Sequence, residues 1–365
     1  MELKLPSYFK YTVILLGLFL LLYFMQTFKS ILIPLSFAGL FALLLLPIST
    51  RLERQMPRSM ATLLSLILVI LVVALMIYFF SMQIGNFTAE LNDISAKLSI
   101  LISKIQMFLF NKFGIKPTNR SEFIEKALGN ISQTGTAFVG STISLTTGAL
   151  TVITLIPIYV FCMLYYRDHL RQFIFQFIAV SKRESILNTI DNIQQVVQSY
   201  ISGLVIVIVI VSILNSIGLM IMGIEYAIFF GAFAAILTII PYIGIMLGAA
   251  LPALYVLVNT GSVTNMLIVV AIFAFVQFLE GNFITPNVVG SKVSINPFAA
   301  IIALIMGGEI WGAAGMILSI PLIAILKVLL DQYAPLKPFA FLLGDIHREP
   351  RELKLLKKLK RKRKE

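Results

Sequence analysis

Three features of this sequence predict an all-α polytopic membrane protein. About six full transmembrane helices are expected, with two re-entrant helical hairpins and amphipathic helical connectors. Hydrophobic residues make up 59% of the 365 positions and charged residues 13%, with a mean hydropathy of +0.95. Soluble domains carry about a quarter charged residues. Eight apolar runs, six of them uncharged, recur at about 11–28, 30–50, 59–87, 136–166, 203–224, 226–259, 264–287 and 296–330. Crossing a bilayer as a helix takes about 20 such residues. Finally, residues 277–331 are apolar enough for a bilayer yet carry Glu280, Asn282, Pro286, Asn287 and Glu309 among glycines.

The first run, Tyr11–Phe28, follows Lys4 and Lys10 and resembles a signal sequence. It is long, and no small-x-small site follows it, so it reads as a retained first transmembrane helix. With the second and third runs it forms an N-terminal unit over 1–87. The runs at 59–87 and 136–166 exceed one crossing, and either tilt or project past the headgroups. Between them lies a polar insert, 88–135, with Leu91, Ile94, Leu98, Leu101 and Ile105 at helical spacing and Ser121 placed to cap a second helix, 122–131. The unit 136–224 holds a second amphipathic connector, 167–200, with a stripe of Ile186, Ile190, Ile193 and Val197. Each connector is expected to lie on the membrane or against a neighbouring subunit; the alternative is a solvated link.

The runs at 226–259 and 296–330 contain 34 and 35 residues. As continuous helix they would be about 50 Å long, against a hydrocarbon core of about 30 Å. Two crossings with a turn need more than about 40 residues. Each run is interrupted halfway, by Pro241-Tyr242-Ile243-Gly244 and by Gly307-Gly308-Glu309 to Gly312. Half-length helices meeting at a break fit these lengths. At an offset of 69 residues Phe229 matches Phe298, Ala234 matches Ala303, Tyr242 pairs with Trp311 and Pro252 matches Pro321. Paired, interrupted segments point to a transporter's binding site, so 225–331 is expected to be a transport core.

Short-loop charge sets the orientation. Arg51, Arg54 and Arg58 follow the second run, and Arg167 and Arg171 follow the fourth. With the N-terminus inside, both loops fall inside. With the two interrupted runs as hairpins, Ser262 is outside, Lys292 inside and the tail 332–365 cytoplasmic; eight plain crossings would also leave the tail inside but would reverse Ser262 and Lys292. Residues 347–365 hold ten Lys/Arg against three Glu in a chain of net charge +12. After a membrane domain this reads as an anchor drawn to anionic lipid, with no nucleic acid as partner.

Glu280 and Glu309 are acids well inside apolar runs. A carboxylate at helix-centre depth costs about 2.5–3.5 kcal/mol on insertion scales. Broken backbone survives in hydrocarbon only where protein or a water-filled cavity satisfies it. A pair of acids in disrupted segments points to solute or ion handling, with proton coupling as one option; Glu309 could instead stabilise a half-helix beginning near Trp311. Pro286 lacks the N–H that would bond the carbonyl near Asn282. Asn282, Thr285 and Asn287 around it could hold a polar solute or monovalent cation, or simply end a helix. Pro241, Tyr242 and Gly244 mark the matching break. Asn215 could line the same cavity or hydrogen-bond between helices.

The lone Cys162 cannot form an intramolecular disulfide, and His169 and His347 stand far apart, so no metal site is expected. No phosphate-cradling loop or nucleophile–base set is legible, so neither cofactor nor enzyme is predicted. Two classes remain open: a transporter, and a membrane scaffold recruiting partners through its amphipathic helices and tail. Only the transporter has a use for Glu280.

Several motifs together resemble the autoinducer-2 exporter family, the PerM-like permeases. They are Tyr166-Arg167-Asp168, Pro241-Tyr242-Ile243-Gly244 with Gly248 and Pro252, Glu280-Gly281-Asn282, Pro286-Asn287-Val288-Val289-Gly290, Asn296-Pro297, Gly307-Gly308, Gly312, Gly315, and Pro321 through Lys327-Val328. The resemblance implies a multi-pass inner-membrane protein that exports or exchanges a small solute, a furanone-type quorum-sensing signal in some members and sodium–proton antiport in others. It also implies homo-oligomers, pentamers in the family, and paired re-entrant hairpins. Many members have histidine where Asn296 stands, which bears on any proton handling there.

Overall fold

The computed structural model describes residues 7–83, 146–241, 243–290 and 295–345. The insert 88–135, Tyr242, Lys292 and the basic tail beyond residue 345 lie outside them. Among the described residues the chain is almost wholly helical, and its one β-type contact is an isolated bridge between Ile295 and Gly344.

Helices α1 (Ser7–Thr27) and α2 (Lys29–Leu52) follow one another through Phe28 alone. The helical ladder resumes across it: Phe28 N–H donates to the Phe24 carbonyl at 2.9 Å and Leu32 N–H to the Phe28 carbonyl at 2.9 Å. One residue at φ −97°, ψ 21° bends a helix but cannot reverse it. The first two runs therefore form a bent rod, not an antiparallel pair.

Helix α3 (Arg58–Gln83) follows a short turn, and α4 (Thr146–Tyr165) packs on α2. Ala38, Ala42 and Leu45 of α2 meet Val160 and Leu164 of α4 in one buried cluster. Both basic loops sit at this end of the molecule. Arg167 grips Glu53 in a two-pronged ion pair at 2.7 and 2.5 Å, and Arg58 pairs with Asp168 at 2.7 Å. These bonds join the α2–α3 turn to the α4–α5 junction, as a shared membrane side requires. The short amphipathic helix α5 (Arg167–Gln176) buries none of its residues.

Helix α6 (Arg183–Ile221) runs unbroken for 39 residues and fuses the expected second connector with the fifth run. No proline interrupts this stretch, and at about 1.5 Å per residue it outreaches a bilayer. Its apolar stripe is covered from within the chain. Val197 is fully buried, and with Ile193 and Ile201 it packs against Leu40 of α2 and Leu318, Leu322 and Ile325 of a later helix. Of the expected stripe, Ile193 and Val197 are thus taken by the molecule's own core, while Ile186 and Ile190 stay half-buried.

Helices α7 (Ala227–Leu237) and α8 (Ile243–Thr260) flank the expected break. They pack face to face, and a Cβ on Gly244 would clash with the Leu237 carbonyl while one on Gly248 would lie 2.8 Å from the Ala234 Cβ. Helix α9 (Val263–Leu279) begins with Ser262, whose hydroxyl caps the Asn265 N–H at 3.3 Å. It continues as two wider turns, Glu280–Ile284 and Pro286–Gly290.

Helix α10 (Pro297–Gln332) doubles back at Gly312, where φ is +62° and ψ −142°. Only glycine adopts that backbone readily. Beyond it, the Ser319 hydroxyl donates to the Ala303 carbonyl at 2.8 Å. On a straight helix sixteen residues would separate these groups by about 24 Å. Gly315 makes the close approach, since a Cβ there would collide with the Gly307 carbonyl. The two ends meet as well. Asn296 caps α10 through the Ala299 N–H at 2.8 Å, and its Nδ2 donates to the Leu342 carbonyl at 2.6 Å and the Gly344 carbonyl at 3.0 Å. It thereby ties the start of α10 to α11 (Lys337–Leu343).

Lys29–Leu52, Arg58–Gln83, Val180–Ile221 and Val263–Val289 are each long and apolar enough to cross a membrane, as is Pro297–Gln332 by length and composition alone, although it folds back at Gly312. The chain is a multi-pass membrane protein.

Candidate functional site

The site is built on the turns that follow α9. Proline at 286 cannot donate to the carbonyl four residues back, and the helix responds by widening rather than stopping. The helix therefore does not end at Pro286. Widening brings residues five apart onto one face; on a regular α-helix they lie about 140° apart. Thr285 thereby reaches Glu280. Its hydroxyl donates to Glu280 Oε1, while Gln277 Nε2 donates to Oε2 at 2.6 Å. Glu280 is half-buried, with each carboxylate oxygen holding one neutral donor.

Asn282 and Asn287 belong to the same segment but serve its backbone. Asn282 Nδ2 donates to the Phe278 carbonyl at 2.9 Å and Asn287 Nδ2 to the Phe283 carbonyl at 2.7 Å. Both residues are exposed. The widened turns lean on α6: Val207 and Val211 pack with Val276, Ile284, Val288 and Val289. A Cβ at Gly203 would sit 3.0 Å from the Val289 side chain, which leaves no room for a larger residue there.

Asn215, on the buried face of α6, is 3% exposed, and its Oδ1 has no hydrogen-bond partner among the described residues. Such an orphan costs about 1–3 kcal/mol unless something else satisfies it. Beside it Ser216 abuts Gly231 of α7. Pro241 lies in the turn between α7 and α8, and Gly244 in the first turn of α8. Glu309 is exposed in the last turn before Gly312, with no hydrogen bond or ion pair among the described residues. A carboxylate at a helix C-terminus meets an unfavourable dipole. The thought that it stabilises a following half-helix therefore finds no support in its position.

Two residues are tied to these breaks without having been singled out for the site. Gln277 is legible only as a polar residue one turn before Glu280. Trp311 stands at the tip of the α10 fold, where its indole N–H donates to the Met25 carbonyl at 3.0 Å. That carbonyl lies in the last turn of α1, beside the bend at Phe28. Among the described residues no cluster of three or more His, Cys, Asp or Glu could hold a metal ion.

Comparisons with known proteins agree with the motifs. The chain is 26% identical to YueF of Bacillus subtilis over 317 residues, covering 83% of this chain and 84% of YueF. It is 27% identical to YrrI of the same organism over 320 residues, 85% of this chain and 88% of YrrI. A shorter stretch of 128 residues is 33% identical to the AI-2 transport protein TqsA of Escherichia coli, covering 35% of this chain and 37% of TqsA. Residues 12–335 match the model of the AI-2E family transporters, and the chain belongs to that family.

Proposed function

We propose that this protein is a secondary transporter that exports or exchanges a small polar solute of the autoinducer-2 kind. Glu280 is the group that couples solute movement to protons. The observation that carries the reading is the carboxylate of Glu280 in a widened turn, held by Gln277 and Thr285 rather than by a cation. Both partners are neutral side chains, so the carboxylate is not committed to a fixed cation. TqsA, named for AI-2 transport, lends the solute class. The same carboxylate with the Thr285 hydroxyl could hold a sodium ion, so sodium–proton antiport is the second outcome to test.

In this reading the α7–α8 and α10 folds enter the membrane from opposite sides as re-entrant hairpins, and α9 crosses between them. Asn215 and the Asn282–Asn287 segment line the path. The exposed apolar faces of α1 and α3 meet lipid and other copies in a homo-oligomer, and the basic tail meets anionic lipid.

The test is flux through purified protein in liposomes, against a panel of small polar solutes and monovalent cations with an imposed pH gradient. Solute flux that dissipates the gradient supports the reading. Sodium flux alone selects antiport. No flux from folded protein favours a scaffold and removes the transport assignment for this chain.

A further inference from the structure

A second polar cavity lies away from Glu280, where α6 meets the C-terminal end of α10. It has a volume of about 370 Å³ and is lined by Asn192, Gln195, Ile295, Lys327, Asp331 and Gln332 among others. At about 30 Å³ per water it holds about a dozen waters. Its wall is fixed. Ile295 bridges to Gly344, the adjoining Asn296 is bonded to Leu342 and Gly344, and Ser185 holds Gln332 at 3.3 Å.

Lys327 and Asp331 stand one turn apart on α10. Among the described residues they form no ion pair with each other or with any other group. The base-before-acid order is the weaker of the two i,i+4 arrangements. The cavity is thus lined by one ammonium-bearing and one carboxylate-bearing side chain, whose backbone positions are about 6 Å apart along the helix axis, together with the primary amides of Asn192, Gln195 and Gln332. The formal charges cancel, so neither a plain anion nor a plain cation is favoured.

We propose that this cavity binds a small zwitterion, its anionic group on Lys327 and its ammonium on Asp331. Two sources share that chemistry: a free amino-acid-like solute, and the headgroup of an ethanolamine phospholipid.

Calorimetric titration of the full-length protein in detergent tests it, with L-serine and glycerophosphoethanolamine as whole zwitterions. Ethanolamine and glycerol 3-phosphate serve as half-ligands. We expect a whole zwitterion to bind at least about tenfold tighter than either half, as each charge-assisted hydrogen bond contributes about a decade. Lys327→Gln and Asp331→Asn should each weaken it by about that factor. The exchange Lys327→Asp with Asp331→Lys should restore binding, because a zwitterion can turn round; a merely structural pair would not recover affinity for ligand. Glu280→Gln should bind as the wild type does, so this result stands or falls apart from the transport reading. Serine alone identifies a soluble ligand, and the glycerophospho compound alone a lipid headgroup. The proposal is overturned if neither zwitterion binds, if a half-ligand binds as tightly, or if both single variants bind unchanged.

Discussion

Glu280 carries the functional reading, and its surroundings define what each substitution should do. Glu280→Gln removes a charge whose partners are neutral, so the protein should insert and fold normally while coupled flux falls to background. Normal flux across a range of pH in that variant would make Glu280 structural. Thr285→Val deletes the donor to Oε1 and should lower flux; Thr285→Ser keeps the hydroxyl and should restore it. If valine and serine behave alike, the hydroxyl has no part in the site. The sequence exposed Glu280 because an acid in an apolar run is conspicuous. It did not expose the grip of Thr285, because a five-residue spacing joins two side chains only after Pro286 has widened the helix; Gln277, three residues before Glu280, is an ordinary helical neighbour. The amides of Asn282 and Asn287 illustrate the converse: their types and spacing were legible, their use on their own backbone carbonyls was not.

At the scale of elements, run length was the strongest signal. Segments of 34 and 35 apolar residues with a central break do fold back on themselves, between α7 and α8 and at Gly312. Lengths of separate runs misled where no breaker residue stood between them. Lys29 divides two apolar stretches, yet the helix bends there without turning; and nothing between 183 and 221 stops α6 from absorbing a polar connector into a membrane helix. Gly312 offers a clean test. Alanine there must adopt a backbone that costs about 1–3 kcal/mol, so Gly312→Ala should lower the thermal unfolding midpoint in detergent. Gly17→Ala, in the middle of α1 with open space around it, should leave the midpoint unchanged or raise it, because alanine favours helix by about 1 kcal/mol. Equal behaviour of the two would mean the fold-back does not depend on glycine. Trp311→Phe keeps the ring but drops the bond to Met25, and should cost about 1 kcal/mol.

For the whole molecule the open quantity is how the described helices are threaded through the membrane. The Arg167–Glu53 and Arg58–Asp168 pairs hold both basic loops at one end, and on the positive-inside rule that end is expected to be cytoplasmic. In that orientation α3 would lead out, α4 return and α6 lead out again. If α7–α8 enters and leaves on the outside, α9 crosses inward and Lys292 is cytoplasmic. If instead the α7–α8 run crossed once as a single broken span, α9 would start inside and Lys292 would be outside. Single cysteines in a Cys162→Ser background distinguish these, probed in intact cells with a membrane-impermeant maleimide. Val263 is the better reporter at the start of α9, because it is exposed whereas Ser262 caps the helix. We expect labelling at Val263→Cys, and protection at Lys292→Cys until the membrane is opened. The reverse pattern would remove the re-entrant hairpins. The expectation rests on length, since α7 has 11 residues, about 16 Å of helix against a core of about 30 Å. A helix of half the required length that packs directly on the one following it reaches mid-membrane and returns.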